Sequence, residues 1–215
     1  MERVPIFRSD ELEHAPLIKG ATYEGGHTIA NEPIAKLIGT GNQGGIRLKG
    51  SAGSWSKVVL SSTHREDEWP DSIDDRHGHV TYFGDCRSPG RGVFEPRGNA
   101  ALNTIFERGF DRREDRLLCP PFFVFSHVRE GAPPWTVRFR GLAIPGSPVV
   151  PAEEWLVAKW FGRSPDRFQN MVLRLTLIGS GEIDRHWVDK LGAEGTTSAG
   201  CPEELERWIE VGWPR

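Results

Sequence analysis

The chain has 215 residues, a length that fits one large domain or two small ones. Its formal net charge of −3 gives no overall attraction to nucleic acid, and 27% charged with 37% hydrophobic residues is ordinary for a globular chain. Three widely spaced cysteines argue against a disulfide framework, and no stretch approaches the roughly 18 apolar residues of a membrane span. Together with an N-terminus that lacks an apolar signal region, these features predict a cytoplasmic protein with no membrane partner.

The first third of the chain shows two short helical patterns followed by two strands. Residues 10–18 are predicted as a short helix, and residues 33–38 as one or two helical turns that open on a proline. The glycine-rich stretch 39–50 then enters a strand, and 57–62 is a short strand bounded by turn residues.

The middle third alternates strands with one clear helix. A strand is predicted at 79–84, and a helix at 98–110, where the apolar spacing is helical and Gly109 closes the pattern. Strong strands follow at 121–128 and 135–144, and the second alternates outward arginines with inward apolar residues.

The last third contains two further strands and two closing helices. Residues 153–161 and 170–178 are predicted as strands, although the first pattern also fits a helix. Helices are predicted at 182–191 and 202–212, and the proline-rich residues 145–151 are interpreted as a loop within a domain.

These elements predict an α+β fold with six to eight short strands and few helices. The strands and helices do not alternate in a βαβ rhythm, so a doubly wound parallel sheet is not expected. We therefore expect a curved mixed β-sheet or partial β-barrel with flanking helices, formed as a single domain over residues 1–215.

An acidic cluster lies at residues 66–75 and is followed by histidines and an aromatic strand. His77, His79 and Cys86 fall within ten residues, but no CxxC or HExxH spacing accompanies them, so no metal site is predicted. No catalytic residues are predicted either. The alternative that stays open is a metal-dependent hydrolase or nuclease that uses the 66–75 acids.

The same stretch contains the residue types that hold an extruded base. Such a base is held between flat side chains and read along its Watson–Crick edge, where cytosine offers an amine that a carboxylate accepts. Trp69 or Trp55 with Tyr82 could supply the two faces, and Asp71 or Asp74 the carboxylate.

Two further stretches are candidates for DNA contacts. The glycine-rich loop lacks the lysine of a phosphate-binding P-loop, but it allows close approach of its backbone to a ligand. Residues 87–140 contain ten arginines, no lysine and six acids, and arginine suits fork-shaped bonding to phosphate or bases. The alternative is that these arginines pair with nearby acids. The predicted contacts are Asn42, Gln43, Gly44, Gly45, Arg47, Arg87, Arg138 and Arg140.

Eight stretches together resemble one family in the same order along the chain, over about residues 20 to 190. They are YEGG (23–26), GNQGGIR (41–47), Trp-Pro-Asp (69–71), TYFGD (81–85), GNAAL (98–102), PPFFVF (120–125), FRGLAIPG (139–146) and RFQN (167–170). The family is the N-terminal recognition domain of AspBHI-like and MspJI-like modification-dependent restriction endonucleases. The resemblance implies an SRA-like domain of the PUA-like class that flips 5-methylcytosine or 5-hydroxymethylcytosine out of double-stranded DNA.

The resemblance also implies roles for single residues. Tyr82 matches the pocket tyrosine, Asp71 is the first choice for the pocket aspartate and Asp74 the second, and the second ring is Trp69 or Trp55. In this family the nuclease is a separate C-terminal domain, fused or partnered. The chain is therefore expected to be a reader that needs no cofactor and does not cut DNA. An RNA-binding PUA-like module is a further alternative.

Overall fold

The computed structural model describes residues 4–26, 32–41, 44–63, 70–179 and 181–213. The helices within these ranges are α1 (Glu32–Ile38), α2 (Arg97–Glu107), α3 (Arg113–Leu117), α4 (Arg185–Glu194) and α5 (Glu203–Val211), with a 3-10 turn at Ala152–Glu154. The strands are β1 (Ile6–Phe7), β2 (Leu17–Ile18), β3 (Thr22–Tyr23), β4 (Ile46–Ser51), β5 (Ser54–Ser62), β6 (Ser72–Asp74), β7 (His79–Phe83), β8 (Phe122–His127), β9 (Val137–Pro145), β10 (Leu156–Phe161), β11 (Phe168–Ile178) and β12 (Glu182–Ile183).

Ten of the strands in the described ranges form one mixed sheet. Its main path runs in the order β4-β5-β8-β9-β11-β7-β6, while β10 pairs with β11 and β3 joins β1 to β9. Strand β5 runs parallel to β8, and the other pairs along the main path are antiparallel. Strands β2 and β12 form a separate small pair.

The sheet curls so strongly that strands far apart in its order come into contact. Tyr82 on β7 places its hydroxyl 3.4 Å from the main-chain oxygen of Ser61 on β5, although β8, β9 and β11 lie between them in the sheet. Within the described residues, the outer strands β4 and β6 do not pair with each other. The result is a partial barrel that is open along one side.

Strand β8 is the centre of the core. Phe122, Phe123, Val124 and Phe125 are all fully buried, as expected for a strand that is covered on both faces. The Phe123 ring packs 6.4 Å from the buried Trp187 ring of α4, so this helix covers one face of the sheet.

The structure confirms most of the predicted elements, replaces one predicted helix, settles one ambiguous pattern and adds short elements that were not predicted. Residues 9–14 form turns rather than the start of a helix, and only 17–18 are regular, as strand β2. The 153–161 pattern begins as a 3-10 turn and continues as a strand, so it is not a helix. Helix α3 and strand β6 are too short to produce a periodic pattern and were not predicted.

In the described part of the chain, no helix combines the length and the apolar character needed to cross a membrane.

Candidate functional site

A cavity of about 820 Å³ opens at the edge of the curled sheet. Its lining comes from residues within 44–47, 61–63, 82–87 and 127–135, and from Asp71. Because β5 and β8 run parallel, they end at the same edge of the sheet, and β4, antiparallel to β5, begins there. The fold thus gathers segments that lie far apart in the chain around one opening.

Tyr82 forms the floor of this cavity. Its side chain is only 3% exposed, and its hydroxyl donates to the Ser61 main-chain oxygen. Burial raises the pKa of Tyr82 well above its ordinary value, and the nearby carboxylates of Asp71 and Asp85 raise it further. Tyr82 is therefore uncharged at neutral pH, and its ring lies almost completely buried at the cavity lining.

Asp71 lies beside Tyr82 and is fixed by the same strand. Its Oδ1 accepts a hydrogen bond of 2.9 Å from the main-chain nitrogen of Phe83, the last residue of β7. The residue is half-buried and borders the cavity. The cavity thus contains a carboxylate that can accept hydrogen bonds next to a neutral aromatic floor.

The glycine loop passes directly over Tyr82. A Cβ atom on Gly45 would overlap with the Tyr82 hydroxyl, so only glycine fits there. Arg47 is 3% exposed and holds this loop from below, because its Nε donates to Gly44 O at 3.0 Å and its Nη1 to Gly41 O at 3.4 Å. Burial lowers the pKa of Arg47 to about 10. Arg47 borders the cavity, and its guanidinium donates both of these hydrogen bonds to its own loop.

Two buried amides fix the segment that leads from Tyr82 to Arg87. Asn99 on α2 accepts from Asp85 N at 2.7 Å. Asn170 on β11 accepts from Cys86 N at 3.2 Å and donates to Gly84 O at 2.7 Å. Both amides are 0% exposed, so the backbone before Arg87 is held from two sides.

Asp85 is a partly buried acid behind the glycine loop. Burial raises its pKa, while Arg87 and a hydrogen bond from the Ile46 main chain lower it. A Cβ on Gly45 would lie 3.5 Å from the Asp85 Oδ1, which places this carboxylate just behind the cavity wall.

Histidine and tryptophan side chains on the β8–β9 side were not predicted from the sequence. His127 Nε2 lies 3.3 Å from Ser61 Oγ at the cavity lining. Trp135 also borders the cavity, is 43% exposed and has a φ of 65°. A left-handed backbone costs a residue with a Cβ about 1–2 kcal/mol, so neighbouring contacts must impose this conformation.

Thr136 and Gly25 supply those contacts. Thr136 is fully buried; its Oγ1 donates to Pro133 O at 2.7 Å and accepts from Gly25 N at 3.2 Å. A Cβ on Gly25 would overlap with Pro134 O, so the loop carrying Trp135 rests directly on the Gly25 backbone.

The structure places several predicted site residues away from the cavity. Asp74 caps the β6–β7 turn, where it accepts from the main chain of Arg76 and His77 and pairs with the His77 ring at 2.7 Å. The hydrogen bonds from His77 lower the pKa of Asp74. Trp55 is six residues before Ser61 on β5, about 20 Å along the strand, and is not among the residues that line the cavity.

Of the arginines of residues 87–140 that were predicted to contact DNA, one borders the cavity and two do not. Arg87 borders the cavity. Arg138 is exposed on β9 outside the lining, and Arg140 makes a two-pronged ion pair with Asp75. For Arg140 the alternative of pairing with a nearby acid is thus the one observed. Trp69, Asn42 and Gln43 lie outside the described residues.

The described acids of 66–75 do not converge on one point. Asp71 binds the β7 main chain, Asp74 caps a turn and Asp75 pairs with Arg140. Across the part of the chain that the structure describes, no three His, Cys, Asp or Glu side chains group as metal ligands. Chemically, the site can hold a flat polar molecule and accept hydrogen bonds from it.

Comparisons with known proteins identify close relatives of this fold. The family model described as "Restriction endonuclease AspBHI N-terminal" matches residues 17–214. The DNA modification-dependent restriction endonuclease AspBHI is similar, with 38% identity and a TM-score of 0.86; the match covers 98% of this chain and 54% of the AspBHI chain. This chain therefore spans about half the length of AspBHI.

Two further structures are similar. The DNA recognition domain of the cytosine modification-dependent restriction endonuclease LpnPI has 31% identity and a TM-score of 0.85, with 100% of this chain and 99% of that domain covered. MspJI, solved in complex with a 27-mer oligonucleotide, has 23% identity and a TM-score of 0.67, with 94% and 53% covered, and shows the shared fold. No curated protein sequence matches the chain at a significant level.

Proposed function

The chain belongs to the family of restriction endonuclease AspBHI N-terminal domains, and from this we propose that it is a DNA recognition domain that reads modified cytosine. It binds duplex DNA and takes one extruded base, 5-methylcytosine or 5-hydroxymethylcytosine, into the cavity above Tyr82. The whole chain acts as the specificity module, and cleavage belongs to a separate nuclease domain.

One observation carries the proposal: Asp71 is fixed at the cavity lining beside the neutral ring of Tyr82. The amine of an extruded cytosine is a donor, so the Asp71 carboxylate can accept from it; thymine presents a carbonyl at this position and is repelled. Tyr82 gives the base an aromatic face, since every base can stack on a flat ring. Trp69 remains the sequence prediction for a second ring.

Phosphate contacts supply the remaining affinity. Arg87 and Arg129 both border the cavity, and guanidinium groups bind phosphate oxygens in a fork geometry. In this proposal they hold the backbone on either side of the extruded nucleotide, while Arg140, occupied by Asp75, does not take part.

A matched binding series tests the proposal. Duplexes that differ at one site, with cytosine, 5-methylcytosine, 5-hydroxymethylcytosine or glucosylated cytosine, are compared by mobility shift, with a single-stranded RNA of the same sequence. Tighter binding to a modified duplex is expected. Equal affinity for all four duplexes, or a preference for the RNA, would refute the assignment.

The absence of cleavage by this chain is tested separately. Methylated plasmid is incubated with the purified protein and Mg²⁺ or Mn²⁺, and it should remain intact. Cleavage that copurifies with the protein and is lost in Asp71→Asn or Asp74→Asn would support a metal-dependent nuclease instead.

A further inference from the structure

Trp135 combines three features that together are typical of a residue at a ligand-binding site. It lines the cavity, its large apolar side chain is 43% exposed, and its backbone is left-handed. Among the described residues it is the single non-glycine residue with positive φ. Strained residues persist where the surroundings enforce them, and they concentrate at ligand-binding sites.

The surroundings of Trp135 enforce its position from both sides of the chain. The fully buried Thr136 hydroxyl joins Pro133 to Gly25, and the bare Gly25 backbone leaves no room for a side chain under Pro134. Val128 N also donates to Thr136 O at 2.9 Å, which closes the base of the loop. The backbone that carries Trp135 is therefore held before any ligand arrives, so little backbone ordering entropy remains to be lost on binding.

We infer that Trp135 stacks on the extruded base and forms, with Tyr82, the aromatic lining that holds it. This inference rests on the proposed function. Stacking does not depend on base identity, because every base has an aromatic face, whereas Asp71 distinguishes cytosine from thymine. Trp135 thus supplies affinity, and it leaves the choice of base to the carboxylate.

The decisive variant is Trp135→Gly. Glycine adopts a φ of 65° without strain, so this change removes the indole and relieves the backbone at the same time. The melting temperature should stay level or rise, while affinity for a 5-methylcytosine duplex should fall at least about fivefold, the lower end of base–aromatic stacking. The ratio of affinities for 5-methylcytosine and thymine should stay unchanged. Trp135→Phe, which retains a ring, should keep most of the affinity.

A matched control and a modified duplex sharpen the test. Trp160 is also exposed, at 57%, but its ring lies under the Arg167 guanidinium at 5.0 Å and outside the cavity lining. Trp160→Gly should leave the preference for the methylated duplex unchanged. A duplex with an abasic analogue at the target site has no base to stack, so Trp135→Gly should bind it as well as the wild type does.

Four outcomes overturn the inference. Unchanged affinity of Trp135→Gly for the methylated duplex removes the stacking role, and a clear drop in melting temperature assigns Trp135 to the fold. Equal loss on the abasic duplex means that the indole fills the gap in the DNA stack instead. Loss of the base-dependent affinity in Trp69→Ala but not in Trp135→Gly gives the stacking role to Trp69. By contrast, a wild type that binds methylated and unmodified duplexes equally refutes the proposed function itself.

Discussion

The main-chain nitrogen of Phe83 donates to the Asp71 carboxylate over 2.9 Å, and this bond joins the strand that carries Tyr82 to the loop that carries Asp71. The carboxylate and the aromatic floor are therefore set relative to each other by one rigid strand. A reader that needs an acceptor and a stacking face at a fixed spacing obtains that spacing from the bond between the Asp71 loop and β7.

Asp71→Asn should weaken discrimination between 5-methylcytosine and thymine by about 1–3 kcal/mol. The asparagine oxygen can still accept from Phe83 N, which turns its amide donor towards the base amine. Binding to unmodified DNA should survive, since phosphate contacts supply it. Competition assays with the two duplexes measure the effect.

Asp74→Asn is the matched control, because Asp74 caps a turn outside the cavity. If Asp74→Asn removes the discrimination and Asp71→Asn does not, the cavity has been assigned the wrong carboxylate. If neither matters, the base-pocket interpretation fails.

Tyr82→Phe should cost about 0.5–1 kcal/mol or less in stability and little in binding, because it keeps the ring and loses a long 3.4 Å bond. Tyr82→Ala should lose about 1–3 kcal/mol of binding. It also leaves a void that costs about 3–5 kcal/mol of unfolding free energy. Binding is therefore compared at a temperature where melting curves show both variants folded. Equal binding by the folded Tyr82→Ala protein and the wild type would exclude stacking.

Gly45→Ala should destabilise the protein by about 1–3 kcal/mol, because its new methyl group overlaps with the Tyr82 hydroxyl. The double variant Gly45→Ala/Tyr82→Phe removes the oxygen in the way and should recover part of that loss. A double-mutant cycle from denaturant melts gives the coupling energy. Additive effects would show that the two groups do not meet.

Arg87→Gln should flatten the dependence of log affinity on log salt by about 0.9, the value for one phosphate contact on duplex DNA. Arg113→Gln is the control, since Arg113 pairs with Glu210 between α3 and α5. The same titration tests the exposed Arg138, whereas Arg140→Gln should change the slope little because Asp75 already holds that guanidinium. A slope that Arg87→Gln leaves unchanged would move the DNA to another surface.

The stability of the protein should depend on pH through Asp85. Burial raises the pKa of Asp85 in the folded state. The protonated carboxyl therefore stabilises the folded protein. This stabilisation is fully present below the unfolded-state pKa of about 3.9 and is lost as pH rises through the folded-state pKa. Asp85→Asn mimics the neutral acid and should raise the melting temperature at pH 7. The difference in melting temperature between Asp85→Asn and the wild type should become smaller as pH falls towards 4. A gain that is constant from pH 4 to 8 would show that Asp85 does not titrate in this way.

Local sequence patterns predicted the helices and strands but not which of them come into contact in the fold. Helix α2 could be predicted because its apolar residues recur at helical spacing. Strand β8 could be predicted because it is a short, continuous apolar run. The left-handed Trp135 could not be foreseen, since its cause, Gly25, lies 110 residues earlier in the chain. Trp55 was one of two candidates for the second ring, from its residue type and from the resemblance, and the direction of β5 places it towards the other end of that strand.

The site residues that could be predicted are those that both the chemistry of their side chains and the family resemblance selected. The structure places Asp71 and Tyr82 together at the cavity, although their roles there remain predictions. Asn99 and Asn170 lie in two motifs that carried the resemblance, GNAAL and RFQN, but nothing in one sequence indicates that an amide will be buried. Only the contact with a distant backbone reveals their role.

The parallel pairing of β5 with β8 also bears on how the chain folds. This pairing joins Val58 to Phe122, 64 positions later, so a long loop must close before the contact stabilises anything. Such non-local pairing slows folding, typically into the millisecond-to-second range for β-rich domains. In a nascent chain that has emerged only as far as α2, strand β5 still lacks its partner β8. The residues between β8 and β9 that line the cavity are also not yet synthesised. The ability to read DNA should therefore appear late, after synthesis has passed β11.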